Sequence, residues 1–285
     1  MQELEHYQRI WNLSCPQPIA VTGTSHLYVV MWRDEPAVLK LLTPIGERDE
    51  KNSVVALRCY GGAGSVRLLL NDERAQLLEY ADGEDLKALV ERGDDEQATA
   101  IIVDVLNALH SSCPQDIPSA LTPLRTRFRS LLLRADIVAG GKEGAAIDHA
   151  TIYTKAAAVA SWLLSTECNI VVLHGDLHHE NVKHSRSRGW LAIDPKGLRG
   201  ERTYDAANVL CNPIGLDSLV ANETRLLKNA AALAKGINVE RERLLAFTFA
   251  HAALSACWSL EDGQNPALAL RICAILAPHL SSPNL

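Results

Sequence analysis

The change of hydrophobic period near Asp82-Gly83 is the sequence feature that most constrains the fold. Before this point, aliphatic and β-branched residues form short runs bounded by Gly, Pro, Asn or Asp, at residues 27–32, 38–42, 66–70 and 77–80, and such runs indicate β-strands. After it, apolar residues recur at helical spacing, as in Ile101, Ile102, Val105, Leu106 and Leu109, and in Leu245, Phe249, Ala252 and Ala256. The chain is therefore predicted to be an α+β protein with a β-rich lobe at residues 1–81 and a larger, mainly helical lobe at residues 82–285.

Each predicted lobe contains a segment that interrupts its pattern. In the first lobe, residues 47–60 begin polar, become apolar, and stop at Gly61-Gly62, which predicts one helix inserted into a small antiparallel sheet. In the second lobe, the apolar runs 170–173 and 190–193 have strand character and enclose a polar loop with a turn-forming segment. The Gly- and Ala-rich residues 139–146 are predicted to connect two helices.

Composition and charge exclude several classes of function. Hydrophobic residues make up 47% and charged residues 22% of the 285 residues, as in ordinary soluble proteins. The 28 Lys and Arg residues are scattered and the net charge is −6, so no nucleic-acid partner is expected. The N-terminus is charged, no long apolar run is evident, and the seven cysteines contain no CxxC pair. We therefore expect a cytoplasmic, monomeric protein with reduced core thiols and no membrane partner.

Three polar residues follow the two apolar runs of the second lobe. Asp176 and Asn181 follow the first run, in the loop 174–181 (HGDLHHEN), and Asp194 follows the second. Phosphoryl transfer needs a carboxylate that orients the acceptor hydroxyl and oxygen ligands that hold Mg²⁺ on the phosphates. Asp176 is therefore predicted to accept the hydroxyl proton, and Asn181 and Asp194 are predicted to bind Mg²⁺. A hairpin that joins Asn181 to Asp194 would bring the two metal ligands together.

The first lobe supplies candidates for binding ATP. Lys40 is a charged residue inside an apolar strand, and its burial requires a partner. Glu50 in the inserted helix is the predicted partner and Glu47 the competing choice, and the pair would direct the ammonium group to the α- and β-phosphates. Between the lobes, Glu79 and Ala81 are predicted to offer backbone groups to the adenine ring.

Three segments resemble the streptomycin 6-phosphotransferases of the aminoglycoside/hydroxyurea resistance kinase family: LHGDLHHENV, RGWLAIDPKGL and GERTYDAANVLCNP. The resemblance extends from about Leu39 to the C-terminus and is strongest over residues 173–213. It implies a two-lobed protein-kinase-like fold, ATP with Mg²⁺, an aminoglycoside acceptor, and active-site roles for Asp176, Asn181 and Asp194. It also implies that Asp205 supports the catalytic loop and does not contact substrate.

The chain departs from protein kinases at several positions. It has no GxGxxG motif, and residues 23–26 (GTSH), which include Ser25, are the candidate phosphate-facing loop. Gly175 replaces the arginine of the HRD motif and Pro195 replaces the phenylalanine of DFG, so regulation by loop phosphorylation is not expected. No APE-like segment follows, which favours a small-molecule acceptor over a protein.

Three alternatives stay open at this point. Hydroxyurea or an endogenous metabolite could be the acceptor, because the acceptor contacts lie on helices that the motifs do not cover. The weak glycine-rich loop would also suit a nucleotide-binding pseudokinase. His174, His178 and His179 could instead bind zinc, although no further ligand set is recognisable.

Overall fold

The first lobe is built on an antiparallel sheet. The computed structural model describes residues 2–112, 116–140 and 149–280. Five strands pair in the order β1-β2-β3-β5-β4; they are β1 (Ser14–Val21), β2 (Ser25–Trp32), β3 (Glu35–Leu42), β4 (Leu68–Asn71) and β5 (Ala75–Glu79). The four predicted runs lie on β2 to β5, where alternating side chains such as Val30, Leu39 and Leu77 are buried in one cluster.

Strand β1 has no counterpart among the predicted runs. It lies at the edge of the sheet, contains Pro16 and Pro18, and is exposed at almost every position. Proline donates no hydrogen bond to a neighbouring strand and is tolerated at sheet edges. Because β1 buries almost nothing, it lacks the apolar alternation by which a buried strand is identified.

The helices of the first lobe differ from the single inserted helix that the sequence predicts. In the described residues they are α1 (Gln2–Ile10), α2 (Pro44–Asp49) and α3 (Lys51–Tyr60). The expected helix at 47–60 is divided at Glu50, whose backbone (φ −110°, ψ 4°) leaves the helical region. Helix α2 begins early because the Thr43 side chain caps it and Pro44 occupies its first turn. Helix α3 ends at Gly61 in the left-handed conformation (φ 55°), as its stop signal predicts.

The second lobe is mainly helical, as predicted. Its helices are α4 (Lys87–Glu91), α5 (Asp95–Ser111), α6 (Leu124–Arg127), α7 (Arg129–Ala139), α8 (Ala150–Ser165), α9 (Thr203–Leu210), α10 (Asp217–Val220), α11 (Glu223–Gly236), α12 (Arg241–Glu261) and α13 (Ala267–Leu276). Strand β5 ends at Glu79 and α4 begins at Lys87, so the boundary predicted after residue 81 lies in the connection between them.

Helix α12 forms the centre of the second lobe and packs against α7, α8, α9, α11 and α13. The predicted apolar series from Leu245 to Ala256 lies on this helix and is buried. Among the described residues, α12 is also the one helix long and apolar enough to cross a membrane, but 72% of that apolar stretch is buried inside the protein. The core helix of a globular protein shows the same pattern.

Two small sheets carry the polar segments of the second lobe. The strands are β6 (Thr122–Pro123), β7 (Ile170–Leu173), β8 (Val182–Ser185), β9 (Gly189–Ala192) and β10 (Leu198–Glu201). Strand β10 pairs with both β6 and β7, and β8 and β9 form an antiparallel hairpin in which Val182 lies opposite Ala192. The predicted hairpin between Asn181 and Asp194 is therefore present.

Two sequence expectations involve residues outside the described ranges. The predicted connection at 139–146 lies mostly outside them, between the end of α7 and the start of α8. Cys113 also lies outside them. Cys257 and Cys273 are buried, as expected for core thiols, but Cys15 and Cys168 are exposed.

The buried ring of His251 makes stability depend on pH. It lies in α12 and forms a 3.1 Å hydrogen bond with the hydroxyl of Tyr204. Burial lowers the pKa of His251 to about 4 from the ordinary value of 6.5. The unfolded chain therefore binds more protons between pH 6.5 and pH 4, and stability falls as the pH falls through this window.

Through His251, the parent is expected to lose about 2 kcal/mol of unfolding free energy when the pH falls from about 7.5 to about 5. We expect His251→Asn not to show this part of the loss. Asparagine keeps a hydrogen-bond acceptor for Tyr204 but does not titrate. The measurement is the free energy of urea unfolding at both pH values, with His6→Asn as the control because His6 is exposed. An unchanged pH dependence in His251→Asn would show that this histidine is not responsible.

Candidate active site

Asp205 in α9 fixes the polar loop 174–181 to the second lobe. Its carboxylate accepts hydrogen bonds from the backbone N–H of Gly175 at 2.8 Å and of His174 at 2.9 Å, and it pairs with His110 at 3.0 Å. Asp205 is fully buried. A buried carboxylate whose oxygens are taken by backbone N–H groups holds the loop in place and is not available to a ligand.

The ring of His174 connects the polar loop to the segment after β9. Its Nε2 donates to the carbonyl oxygen of Ile193 at 2.8 Å, and its Nδ1 accepts from the backbone N–H of Asp176 at 3.2 Å. Burial lowers the pKa of His174, which keeps the ring neutral, with one donor and one acceptor nitrogen. His174 therefore fixes the backbone of Asp176 relative to Asp194, the residue after Ile193.

Asp176 and Asn181 face each other within the loop. Nδ2 of Asn181 donates to the backbone carbonyl of Asp176 at 2.9 Å, so the amide oxygen of Asn181 is directed away from that bond. Nδ2 of Asn208, in α9, donates to Oδ1 of Asp176 at 3.2 Å. Oδ2 of Asp176 has no hydrogen-bond donor in the part of the chain that the structure describes. This oxygen is therefore the one available to an acceptor hydroxyl.

Asp194 is shared by two lysines. Lys40 contacts its Oδ1 at 2.5 Å and Lys196 contacts its Oδ2 at 2.9 Å. Burial alone would raise the pKa of Asp194, but Lys40 and Lys196 outweigh it and lower the pKa to about 2. Burial likewise opposes the charge of Lys196, but Asp194, and further Asp176 and Glu50, raise its pKa. Both groups are thus charged at neutral pH.

Lys40 in β3 is paired with Glu50, as predicted. The two side chains form an ion pair and are only 6% and 1% exposed. Glu47, the competing choice, instead accepts a hydrogen bond from Arg74 at 2.8 Å. Since Lys40 also contacts Asp194, one ammonium group joins the two lobes at the candidate site.

The oxygen atoms at Asn181 and Asp194 fit a Mg²⁺ site. The backbone N–H of Ile193 donates to the carbonyl of Asn181 at 2.9 Å, which places Asn181 beside Asp194. A carboxylate and an amide oxygen are hard ligands, and Mg²⁺ is usually bound by one or two protein groups together with phosphate oxygens and water.

The zinc alternative has no support in the structure. Within residues 2–112, 116–140 and 149–280, no group of three or more His, Cys, Asp or Glu side chains could hold a metal ion. Both ring nitrogens of His174 are hydrogen-bonded, and Nδ1 of His178 pairs with Glu180 at 2.9 Å. His174 and His178 are thus engaged within the protein, whereas the buried ring nitrogens of His179 have no hydrogen-bond partner among the described residues.

A cleft of about 630 Å³ lies between the lobes. It is lined by six of the predicted site residues: Ser25, Lys40, Glu79, Ala81, Asn181 and Asp194. Aliphatic side chains from both lobes form much of the remaining wall: Leu27, Val38, Leu57, Leu78 and Ile193. Asp176 and Glu50 do not line it directly, but they are bonded to Asn181 and to Lys40. The volume and apolar walls suit a nucleotide.

The backbone N–H groups of the two predicted adenine contacts, Glu79 and Ala81, differ in whether they already donate a hydrogen bond within the protein. The backbone N–H of Glu79 donates to the carbonyl of Arg67 at 2.9 Å, and its side chain pairs with Arg188 at 2.5 Å. The backbone N–H of Ala81 donates to no other described residue. Ala81 therefore offers a free donor at this edge of the cleft.

The loop between β1 and β2 is a tight turn and not an open glycine-rich cradle. The N–H of Thr22 donates to the carbonyl of Ser25 at 2.8 Å, and the carbonyl of Thr24 accepts from Thr43 N–H at 2.8 Å. A Cβ atom at Gly46 would lie 2.0 Å from the carbonyl oxygen of Thr24, so the turn rests closely on α2. Ser25 lines the cleft, but its hydroxyl is hydrogen-bonded to Thr22 at 3.2 Å.

The structure brings three residues to the site that the sequence motifs did not predict: Lys196, Asn208 and Arg188. Lys196 follows a predicted metal ligand by two residues, and this proximity could have identified it. Asn208 lies one helical turn after Asp205, so a shared helix face was also readable. Arg188 meets Glu79 from a distant part of the chain, and the sequence contains no signal for that contact.

Comparisons with known proteins show the family of the chain. The sequence model of the aminoglycoside/hydroxyurea antibiotic resistance kinases matches residues 10–263. The chain is 36% identical to a streptomycin 3″-kinase from Klebsiella pneumoniae over 89% of this chain and 91% of the relative. It is 32% identical to a streptomycin 6-kinase from Streptomyces griseus, over 85% of this chain and 77% of the relative. It is also 32% identical to a hydroxyurea phosphotransferase from Kitasatospora aureofaciens, over 89% of this chain and 71% of the relative.

Solved structures confirm the predicted kinase-like fold. The choline kinase LicA from Streptococcus pneumoniae superposes with a TM-score of 0.66 at 14% identity and covers 98% of this chain and 99% of its own. A thermostable mutant of aminoglycoside phosphotransferase APH(4)-Ia, in a ternary complex with ADP and hygromycin B, gives a TM-score of 0.64 at 15% identity, covering 98% and 99%.

Proposed function

We propose that this chain, which belongs to the aminoglycoside/hydroxyurea antibiotic resistance kinase family, transfers the γ-phosphate of ATP to a hydroxyl group of a streptomycin-type aminoglycoside. One observation carries the proposal. Asn181 and Asp194 line a cleft of nucleotide size, and the carboxylate-bearing residue Asp176 is bonded directly to Asn181. A proton acceptor and a metal-binding pair thus meet at one end of the cleft.

The proposed nucleotide contacts use both lobes. The adenine ring lies against the aliphatic wall and accepts a hydrogen bond from the N–H of Ala81. Lys40, held by Glu50, binds the α- and β-phosphates. Asn181 and Asp194 hold Mg²⁺, which when bound neutralises charge on the β- and γ-phosphates.

In the proposed transfer, the acceptor oxygen forms a bond to the γ-phosphorus while the bond from that phosphorus to the β–γ bridging oxygen breaks, and ADP leaves. The hydroxyl proton passes to Oδ2 of Asp176. Asn208 holds Oδ1 of Asp176 at 3.2 Å and so directs Oδ2 toward the acceptor. Phosphoryl transfer depends mainly on alignment and charge stabilisation, and these groups contribute to both.

The proposal is tested by incubating the protein with Mg-ATP and streptomycin and recording mass spectra. We expect a mass increase of about 80 Da on streptomycin, the mass of one phosphoryl group, and none when EDTA removes the Mg²⁺. Binding of ATP without phosphorylation of streptomycin or of any other acceptor in a hydroxylated panel would favour the pseudokinase alternative.

The position of the phosphate is the finer part of the proposal. The motifs resemble 6-phosphotransferases, whereas the relative at 36% identity is a 3″-kinase and a relative at 32% is a 6-kinase. We propose the 6-hydroxyl as the acceptor, and two-dimensional ³¹P–¹H NMR of the product decides the position. A phosphorus coupling to the 3″ proton would overturn this assignment and leave the kinase proposal intact.

Hydroxyurea is the second candidate acceptor, because the chain also aligns with a hydroxyurea phosphotransferase over 89% of its length. Parallel measurements of ADP release with each acceptor compare kcat/KM for the two. A higher kcat/KM for hydroxyurea would make hydroxyurea, and not an aminoglycoside, the proposed acceptor.

A further inference from the structure

Lys196 is a further cation at the candidate site, and neither the sequence motifs nor the proposed roles above use it. It lines the cleft and contacts Asp194, which also contacts Lys40. Its Nζ donates to Oδ2 of Asp194 at 2.9 Å. The ammonium group therefore stands at the edge of the cleft where Mg²⁺ and the γ-phosphate are proposed to bind.

Both oxygens of Asp194 contact an ammonium group, so a metal that binds Asp194 competes with the two lysines for this carboxylate. Lys40 is held by two carboxylates, those of Glu50 and Asp194, and its side chain is 6% exposed. Lys196 has a single ion-pair partner among the described residues, and its side chain is 26% exposed. Lys196 is therefore the cation that is free to withdraw.

The backbone of Lys196 is held tightly while its side chain is not. Its N–H donates to the carbonyl of His174 at 2.7 Å. The residue before Lys196 is Pro195, whose ring fixes its own φ angle. Gly197 has φ +67°, and a Cβ atom there would lie 2.2 Å from the carbonyl oxygen of Asn52. The side chain can therefore move on a fixed backbone, and the space beside Asp194 is within its reach.

The γ-phosphate is the group that would occupy this space. If Asp194 holds the metal and Asp176 orients the acceptor hydroxyl, the transferred phosphorus lies between them. The loop carbonyl that fixes the Lys196 backbone belongs to His174, which also fixes Asp176, so Lys196 and Asp176 are positioned by the same residue.

We propose that Lys196 leaves Asp194 when Mg-ATP binds and forms an ion pair with the γ-phosphate, which makes Lys196 a catalytic residue. The inference rests on the proposed kinase function. In this position Lys196 stabilises negative charge on the phosphoryl group during transfer. Lys196 then binds the γ-phosphate, and Lys40 binds the α- and β-phosphates. The alternative is a placeholder role, in which Lys196 only occupies the carboxylate of Asp194 until a metal binds.

The two roles differ in their effect on nucleotide binding. Isothermal titration with Mg-AMP-PNP and with Mg-ADP compares a ligand with a γ-phosphate and a ligand without one. For Lys196→Met we expect AMP-PNP affinity to fall on the order of 10- to 100-fold and ADP affinity to change by less than about threefold, since a charged hydrogen bond is lost only with the former. Lys196→Arg should recover most of the AMP-PNP affinity because it keeps the charge.

The matched control is Lys228→Met, which removes a lysine whose ion pair with Glu96 lies on the surface. Thermal unfolding of each variant establishes that it is folded. Equal changes for both nucleotides in Lys196→Met, or no change for either, would overturn the inference while the parent still binds and turns over ATP. A parent protein that binds neither nucleotide would overturn the proposed function, and this inference with it.

Discussion

Asp176→Asn is expected to lower kcat on the order of 10²- to 10⁴-fold, the range over which a positioned proton acceptor contributes to catalysis. Asparagine has the same shape, and its side-chain oxygen can still accept the hydrogen bond from Asn208 that Oδ1 accepts at 3.2 Å. It cannot accept the proton of the acceptor hydroxyl. The dissociation constant of Mg-ADP should change little, because Asp176 is not among the residues that line the cleft. Initial rates of ADP release and titration with ADP measure the two effects separately.

Asp205→Asn provides the contrast for this experiment. Asp205 is fully buried and accepts from two backbone N–H groups of the same loop, so its loss should lower the unfolding temperature and the activity together. Asp176→Asn should lower activity while the unfolding temperature stays near that of the parent. An Asp176→Asn protein that phosphorylates its acceptor as fast as the parent would refute the proposed proton transfer.

The central part of the site could be predicted because its residues are close in sequence. Asp176, Asn181 and Asp194 follow two apolar runs joined by a turn, and antiparallel pairing of β8 with β9 brings the ends of that segment together. The pair of Lys40 and Glu50 was predictable for a different reason. A lysine in a buried strand needs a carboxylate, and the next helix offers few.

The remaining features depend on contacts that no local pattern encodes. The exposed edge strand β1 buries almost nothing, so hydrophobic alternation cannot reveal it. The predicted helix is divided at Glu50, whose carboxylate pairs with Lys40 of β3, and helical spacing in the sequence does not encode this long-range contact. The contact of Arg188 with Glu79 joins residues 109 positions apart, and only the folded chain brings the hairpin turn to that edge of the cleft.

Asp194→Asn is expected to lower kcat/KM on the order of 10³-fold, because a metal ion contributes several kcal/mol of charge stabilisation in such reactions. The pKa of Asp194 is lowered to about 2, since Lys40 and Lys196 outweigh the effect of burial, so the parent presents a full carboxylate at every pH near neutral. Asparagine removes that charge. The Mg²⁺ concentration that gives half-maximal activity should therefore rise, whereas ADP binding without Mg²⁺ should not weaken, because a negative charge near the phosphates is lost.

Asp34→Asn is the matched control for this substitution. Asp194 and Asp34 both have left-handed backbones, with φ of 57° and 64°, which asparagine also adopts, so neither variant should strain the chain. Asp34 is exposed in the turn between β2 and β3, and its variant should keep the Mg²⁺ dependence of the parent. If Asp194→Asn retained the same half-maximal Mg²⁺ concentration as Asp34→Asn, the metal would have to bind elsewhere. The contacts of Lys40 and Lys196 with Asp194 would then have a structural role only.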